Sequence, residues 1–258
     1  MAELRVEIER AVATVTLDRP DALNSLTVPL KDGLIRAFRE LATDANVRVI
    51  VLTGAGRAFC AGQDLRERME PEALPLADEI RSRYNPLIRA IRAVPQPVIA
   101  AVNGVAAGAG ASLAFACDLR IAAERASFVL AFGRVGLIPD SGATWFLPRL
   151  IGAAKATELA LTTAPLSAAD AERFGLVSRV VADDQLATEA RALADRLAAL
   201  APRALALTKR ALSENASVQL DDALEREAAF QGEAGATNDH AEGIAAFLEK
   251  RAAEFRGD

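Results

Sequence analysis

Residues 97–118 read PVIAAVNGVAAGAGASLAFACD, and the fold turns on how this stretch is read. The apolar run Val98-Ile99-Ala100-Ala101-Val102 suits a strand buried on both faces. Asn103-Gly104 breaks the run, and Gly108-Ala109-Gly110 opens a helix of small residues ending near Cys117. A strand feeding a glycine-rich turn at a helix start aims backbone N–H groups and a positive dipole end at one point. Such a device binds a negative group, or an oxygen that becomes negative during reaction. Three other readings compete with it. A membrane-spanning helix is disfavoured by the glycines, by the lack of flanking basic residues and by the immediate Asp118. A dinucleotide fingerprint lacks its third glycine, because Leu113 stands there. Small residues that merely let a helix pack closely explain the composition with no ligand at all.

The 258 residues can form one large domain, or a core with an appendage. A hydrophobic content of 52% with 25% charged residues describes a soluble chain that buries a large core. The net charge of −5 and the lack of a basic tract make nucleic acid and anionic membranes poor partners. The N-terminal residues MAELRVEIER carry no apolar signal region. Cys60 and Cys117 have neither metal-type nor redox spacing, which fits reduced thiols and a cytoplasmic location. His240 is the single histidine, so a serine-hydrolase triad or a histidine-rich metal site has almost no material, and no metal is expected.

Along the chain, Leu4, Val6 and Ile8 and then Val12 to Leu17 alternate as a β-hairpin. Thr27 suits an N-cap, and Leu30, Leu34, Phe38 and Leu41 form one helix face. Val47 to Thr53 is a second apolar strand. Arg57 to Leu65 repeats the strand-then-glycine-loop logic, followed by a charged surface segment at 66–72. Ile80, Tyr84, Leu87, Ile88 and Ile91 mark an amphipathic helix, ended by Pro95 and Pro97. Short strands at 119–122 and 127–129 precede the loop 132–142, and a helix runs through Trp145 to Leu150. Ser167 and Asp170 resemble a capping box, Gly175 stops that helix, and Val177 to Val181 is the last strand. From Asp184 onward the pattern is helical, broken at Pro202 and near residues 232–238. The class is therefore α/β with an all-helical tail.

Taken together, DRPDALNSL, TGAGRAFCAGQDL, AVNGVAAGAGASLAFACDL, GLIPDSGATWFLPRLIG, LSAADAERFGLV and HAEGIAAFLEKR resemble the crotonase superfamily, the enoyl-CoA hydratase/isomerase family. The resemblance covers nearly the whole chain. It implies a core of residues 1–182, a spiral of ββα units that binds the CoA thioester. It further implies a helical region, residues 183–258, that assembles trimers or hexamers and completes the CoA site. In that family two backbone N–H groups hold the thioester oxygen as an enolate forms; on this chain they fall on Gln63 and Ala109. Substrate contacts by resemblance are Ala22, Leu23, Ala61, Gln63, Asp64, Leu65, Ser112 and Phe132, with Phe247 and Lys250 reaching the nucleotide end. Coenzyme A is part of the substrate, and no separate cofactor is implied.

The two glutamates that family hydratases use fall on Ser112 and Phe132, neither of which can act as a general base. Asp140 falls where the isomerase and dehalogenase branches carry their catalytic aspartate. Its neighbours Leu137, Ile138 and Trp145 are expected to raise its pKa. Read without the family, Asp140 is a helix cap, Ser112 a small packing residue, and His240 a surface or helix-start residue. Asp64 reads as a loop holder. The loops are most similar to the branch that isomerises ring-epoxide phenylacetyl-CoA, so an acyl-CoA isomerase is expected. A hydratase with another base, a hydrolase or dehalogenase with an aspartate nucleophile, and a non-catalytic binding homologue stay open.

Overall fold

The computed structural model describes residues 3–258. The chain opens with the hairpin β1 (Leu4–Glu9) and β2 (Val12–Leu17), in which Leu4 faces Leu17 and Glu9 faces Val12. Its tight turn puts Arg10 and Ala11 at φ 47° and 64°, the left-handed pair that a two-residue hairpin demands. α1 (Val28–Leu41) starts where the Thr27 hydroxyl accepts the Leu30 N–H, and Leu30, Leu34, Phe38 and Leu41 are all buried. β3 (Val49–Gly54), β4 (Ala58–Cys60), α2 (Leu76–Glu79) and α3 (Asn85–Ala93) follow. A π-helical turn, Ile80–Tyr84, joins α2 to α3, where the sequence reads as plain α-helix.

The central stretch holds β5 (Val98–Val102), β6 (Val105–Ala107) and α4 (Ala109–Ala116). β6 is an element the apolar pattern does not announce, because three residues after Asn103-Gly104 carry no periodicity. The strand that feeds Gly108 is therefore β6, not β5. Asn103 makes this possible: its side chain accepts from Gly54 N–H and donates to Gly56 and Ala58 carbonyls, turning the chain from one sheet into another. Next come β7 (Leu119–Ala123), β8 (Ser127–Val129), α5 (Ala143–Ile151), α6 (Ala153–Thr162), β9 (Leu166–Ser167), α7 (Ala168–Arg173) and β10 (Arg179–Val181). The Ser167 hydroxyl accepts the Asp170 N–H at 3.1 Å, as a capping residue should. The tail is α8 (Leu186–Ala198), α9 (Pro202–Asn215), α10 (Leu220–Gly235) and α11 (Asn238–Glu249).

Two sheets result, a six-stranded one in the order β1-β2-β3-β5-β7-β10 and a four-stranded one in the order β4-β6-β8-β9. Each of β3-β4, β5-β6 and β7-β8 contributes one strand to each sheet, so three successive turns of a spiral stack in parallel. Both faces of the larger sheet are buried. Ile50, Leu52, Val98, Ala100 and Val102 face the main core, whereas Val49, Val51, Ile99, Ala101 and Ile121 face Leu186, Ala190 and Ala194 of α8. Packing of the core thus runs on through α8, the first helix of the tail. No helix among the described residues is long and apolar enough to cross a membrane.

Charges are also buried. Arg120, 8% exposed, donates to the carbonyls of Cys117 and Leu176 at 2.7 Å, capping the C-terminal end of α4. Lys31 of α1, fully buried, pairs with Glu79 of α2, which also takes Arg83. Burial alone would raise the Glu79 carboxyl, but Lys31 and then Arg83 outweigh it and hold it below its ordinary value. The stabilisation is complete above the ordinary carboxylate pKa and is lost as pH falls through the depressed one. Glu79→Gln strands a buried ammonium and should cost about 3–5 kcal/mol in denaturant unfolding, whereas Lys31→Met combined with Glu79→Leu should recover most of it.

Candidate active site

The site begins with a close backbone approach. β4 and β6 are parallel neighbours, and each runs into a glycine loop, Gly62 after one and Gly108 after the other. Gly62 is at φ +91°, and a Cβ there would come within 2.8 Å of the Ala107 carbonyl and 3.5 Å of Ala109 N. At Gly110 a Cβ would be 2.2 Å from the Cys60 carbonyl, so only glycine lets α4 lie against β4. Gln63 pairs with Leu26 through Gly62 and Asp64, whose carbonyl and N–H make the bonds. The N–H groups of Gln63 and Ala109 donate to no acceptor among the described residues and lie on the two loops that touch.

Around this pair stand the other predicted residues. Ala22 ends a helical turn, Leu23 is at φ +51°, and the Leu23 carbonyl accepts the Ala61 N–H at 2.9 Å. The Asn24 amide donates to the Ala55 and Ala58 carbonyls, fixing that loop on β4. Asp64, 6% exposed, is a loop holder as expected: its carboxylate takes Arg66, Arg19 and the Ser25 hydroxyl. The hydrogen bond from Arg66, then that from Arg19, overcomes burial and holds Asp64 well below the usual carboxylate range. Leu65 is 56% exposed. The Glu67 carboxylate in the charged segment accepts the Val28 N–H at 2.9 Å and so anchors the start of that segment to α1.

Ser112 is fully buried on α4, with its hydroxyl 3.3 Å from the Gly108 carbonyl and 3.1 Å from the Asp140 carbonyl. It is thus more than a packing residue, since it ties the loop bearing Asp140 to the Gly108 loop. Phe132, 7% exposed, closes the same corner, its ring tip 3.9 Å from where a Gly108 Cβ would be. The Asp140 carboxylate caps no helix. α5 begins after Gly142 with no side-chain cap, and the Asp140 carbonyl, not its carboxylate, accepts the Ala143 N–H. One carboxylate oxygen accepts the Ser141 hydroxyl at 2.8 Å, and Ser141 is held at φ +52°. Burial pushes the Asp140 carboxyl up, and the Ser141 bond opposes it. Leu137, Ile138 and Trp145, expected to shield it, are 38%, 80% and 44% exposed.

The same fold thus lowers one carboxyl and raises another. Burial also pushes the Cys60 and Cys117 thiols up to about 12, which makes both inert as nucleophiles at neutral pH. Phe247, 83% exposed, and Lys250, at φ +56° past the end of α11, make no hydrogen bond or ion pair with these loops. His240 lies in the first turn of α11, donating its N–H to the Thr237 hydroxyl.

Comparison with known proteins agrees with this geometry. The family model described as enoyl-CoA hydratase/isomerase matches residues 7–258. The chain belongs to the enoyl-CoA hydratase/isomerase family. It is 45% identical over 253 residues to the 1,2-epoxyphenylacetyl-CoA isomerase of Escherichia coli, with 97% of each chain covered. It is also 45% identical over 254 residues to a probable enoyl-CoA hydratase of Rhodobacter capsulatus, with 98% of each covered. The crystal structure of an enoyl-CoA hydratase from Bacillus anthracis superposes with a TM-score of 0.95 at 38% identity, over 99% of this chain and 100% of that one. The crotonase fold expected from the sequence is thereby established, and an acyl-CoA substrate fits the family.

Arg19, which holds Asp64, and Lys31, which pairs with Glu79, are residues to which the sequence pattern assigns no role. A signal existed for Lys31, which shares a helix face with Leu34, Ile35 and Phe38. Gly62→Ala should both strain the backbone and push the Ala107 carbonyl away, lowering stability by about 1–3 kcal/mol in thermal unfolding. Unchanged stability would show that the two loops do not meet as described.

Proposed function

We propose that this protein is an acyl-CoA isomerase in which Asp140 is the single acid/base. The observation that carries the reading is a raised, half-buried carboxyl held by Ser141 and, through its backbone, by Ser112 at the Gly108 loop. The N–H groups of Gln63 and Ala109 hold the thioester oxygen, each worth on the order of 3 kcal/mol of barrier. With a 3-enoyl-CoA, the Asp140 carboxylate takes a proton from C2. The dienolate charge rests on the thioester oxygen between the two N–H groups, and Asp140 returns the proton at C4. The double bond moves to C2–C3, and the carboxylate is regenerated. A raised pKa strengthens the carboxylate as a base. Ala22, Leu23, Ala61, Asp64 and Leu65 line the thioester side, and Ser112 and Phe132 the acyl side. Phe247 and Lys250 meet the nucleotide end once copies of the chain assemble as a trimer or hexamer.

The 45% identity to an isomerase acting on a ring epoxide supports this reading, while equal identity to a probable hydratase supports water addition as the second one. Turnover of a 3-enoyl-CoA to its 2-enoyl isomer separates them. Asp140→Asn should lower kcat by roughly 10²–10⁴-fold. A variant that keeps its rate, or native chain inert as an isomerase but active in hydration, would reject the isomerase. The pH profile adds an independent check. The Ser141 hydroxyl favours ionised Asp140, so Ser141→Ala should move the acid limb of kcat/KM to higher pH.

A further inference from the structure

A backbone N–H has no rotamer, so its direction is set by the peptide plane that carries it. The Gly62–Gln63 peptide is trans, and pinning the Gly62 carbonyl therefore turns the Gln63 N–H the opposite way. Leu26 does the pinning. Its N–H donates to the Gly62 carbonyl at 2.7 Å, and its own carbonyl accepts the Asp64 N–H at 3.0 Å. Both peptide planes of Gln63 thus hang on Leu26, and the Gln63 N–H faces away from it with no acceptor among the described residues. The bridge between Leu26 and Gln63 is an isolated one, outside both sheets, so no neighbouring strand steadies it. Arg19 steadies it from the side. One guanidinium nitrogen donates to the Asp64 carboxylate at 3.1 Å, while another donates to the Ser25 carbonyl and, at 3.1 Å, to the Ser25 hydroxyl. The Ser25 hydroxyl closes the triangle on the same Asp64 oxygen at 3.3 Å. Ser25 and Asp64 are buried, and the Arg19 side chain is 16% exposed.

We propose that Arg19 is a positioning residue for the oxyanion: by bridging Ser25 and Asp64 it keeps Leu26 against Gln63 and so aims the Gln63 N–H at the thioester oxygen. This role rests on the Gln63 N–H as an oxyanion donor of the proposed reaction. Neutralising Asp64 is not what Arg19 alone supplies, because Arg66 already donates to both Asp64 oxygens. The Arg66 side chain is 76% exposed and bonds only to Asp64 among the described residues, so it ties nothing across the bridge. The Arg19 fork spans the two segments that the bridge must hold together, and a planar guanidinium with donors on separate nitrogens suits that task better than an ammonium. The second donor needs no such helper. The Gly108 carbonyl is pinned by the Ser112 N–H at 3.2 Å, so the helical repeat of α4 itself turns the Ala109 N–H outward.

The carbonyl stretch of a bound thioester reads the donors directly. Hexanoyl-CoA has no double bond to move, and an isotope label at its thioester carbonyl isolates that stretch in difference infrared spectra. At saturation the native chain should lower the frequency below its value in water. Arg19→Met should lose about half of that shift or more, and should lower kcat for a 3-enoyl-CoA about tenfold or more with little change in KM. Arg19→Lys keeps the charge, guards against a methionine variant that does not fold, and should lose the shift as well. Arg66→Ala removes a cation from Asp64 but leaves the bridge, and should keep the full shift. A full shift in a folded Arg19 variant, or an equal loss in Arg66→Ala, would overturn the role of Arg19 while leaving Gln63 as a donor. A native chain that leaves the frequency at its value in water would remove the oxyanion reading, and the role of Arg19 falls with it.

Discussion

Contact of backbone with backbone, between β4 and the start of α4, is the constraint on which the rest of the molecule depends. Gly110 against the Cys60 carbonyl leaves no room for a Cβ, and Gly62 turns immediately afterwards through a left-handed conformation against Ala107. Two parallel strands, β4 and β6, therefore deliver two glycine loops to the same place. The donors set there are main-chain atoms, so their positions depend on strand register and not on rotamers. That rigidity is maintained at a distance by Asn24 and Asn103, whose amides fasten the connection between the sheets. α4, with every residue buried, gives the second loop a support that cannot shift without disturbing the whole core.

Electrostatics then divides the labour among acidic groups that composition alone cannot rank. Asp64 and Asp140 lie on loops bordering the same region, yet arginines hold the first ionised while burial raises the second. The difference is one of partners: Asp64 receives two guanidinium groups and a hydroxyl, whereas Asp140 receives only Ser141. A carboxyl tied to two cations is a structural anchor and a poor proton carrier, and one with a single neutral donor can take and return a proton. Buried Lys31 with Glu79 completes the pattern, as an ion pair that binds α1 to α2 and stands behind the ring of Tyr84.

Much of this was legible in the chain because the physical signals are local. The cap at Thr27, the capping residue Ser167, the hairpin and the apolar strands all depend on neighbours within a few positions. The glycine loops were legible as well, since glycine at a strand-to-helix turn has few other uses. β6 is not legible because three residues cannot show a period, nor is the π turn, because its single extra residue barely disturbs an amphipathic pattern. The exposure of Leu137, Ile138 and Trp145 is not legible, because apolarity in sequence does not reveal which way a loop side chain faces.

The sequence by itself determined the class of fold, the family, the two glycine loops and the position of one carboxylate, because each is encoded by residue types at short spacing. Tertiary structure alone decided which groups meet. It brought residue 62 to residue 109 and residue 112 to residue 140, and it placed α8 over the outer face of the large sheet. It also buried Lys31 against Glu79 and left the Tyr84 hydroxyl without a partner. Proton affinity and hydrogen-bond satisfaction belong to that second class, because both depend on who surrounds a group in space, and the chain brings those neighbours from tens of residues away.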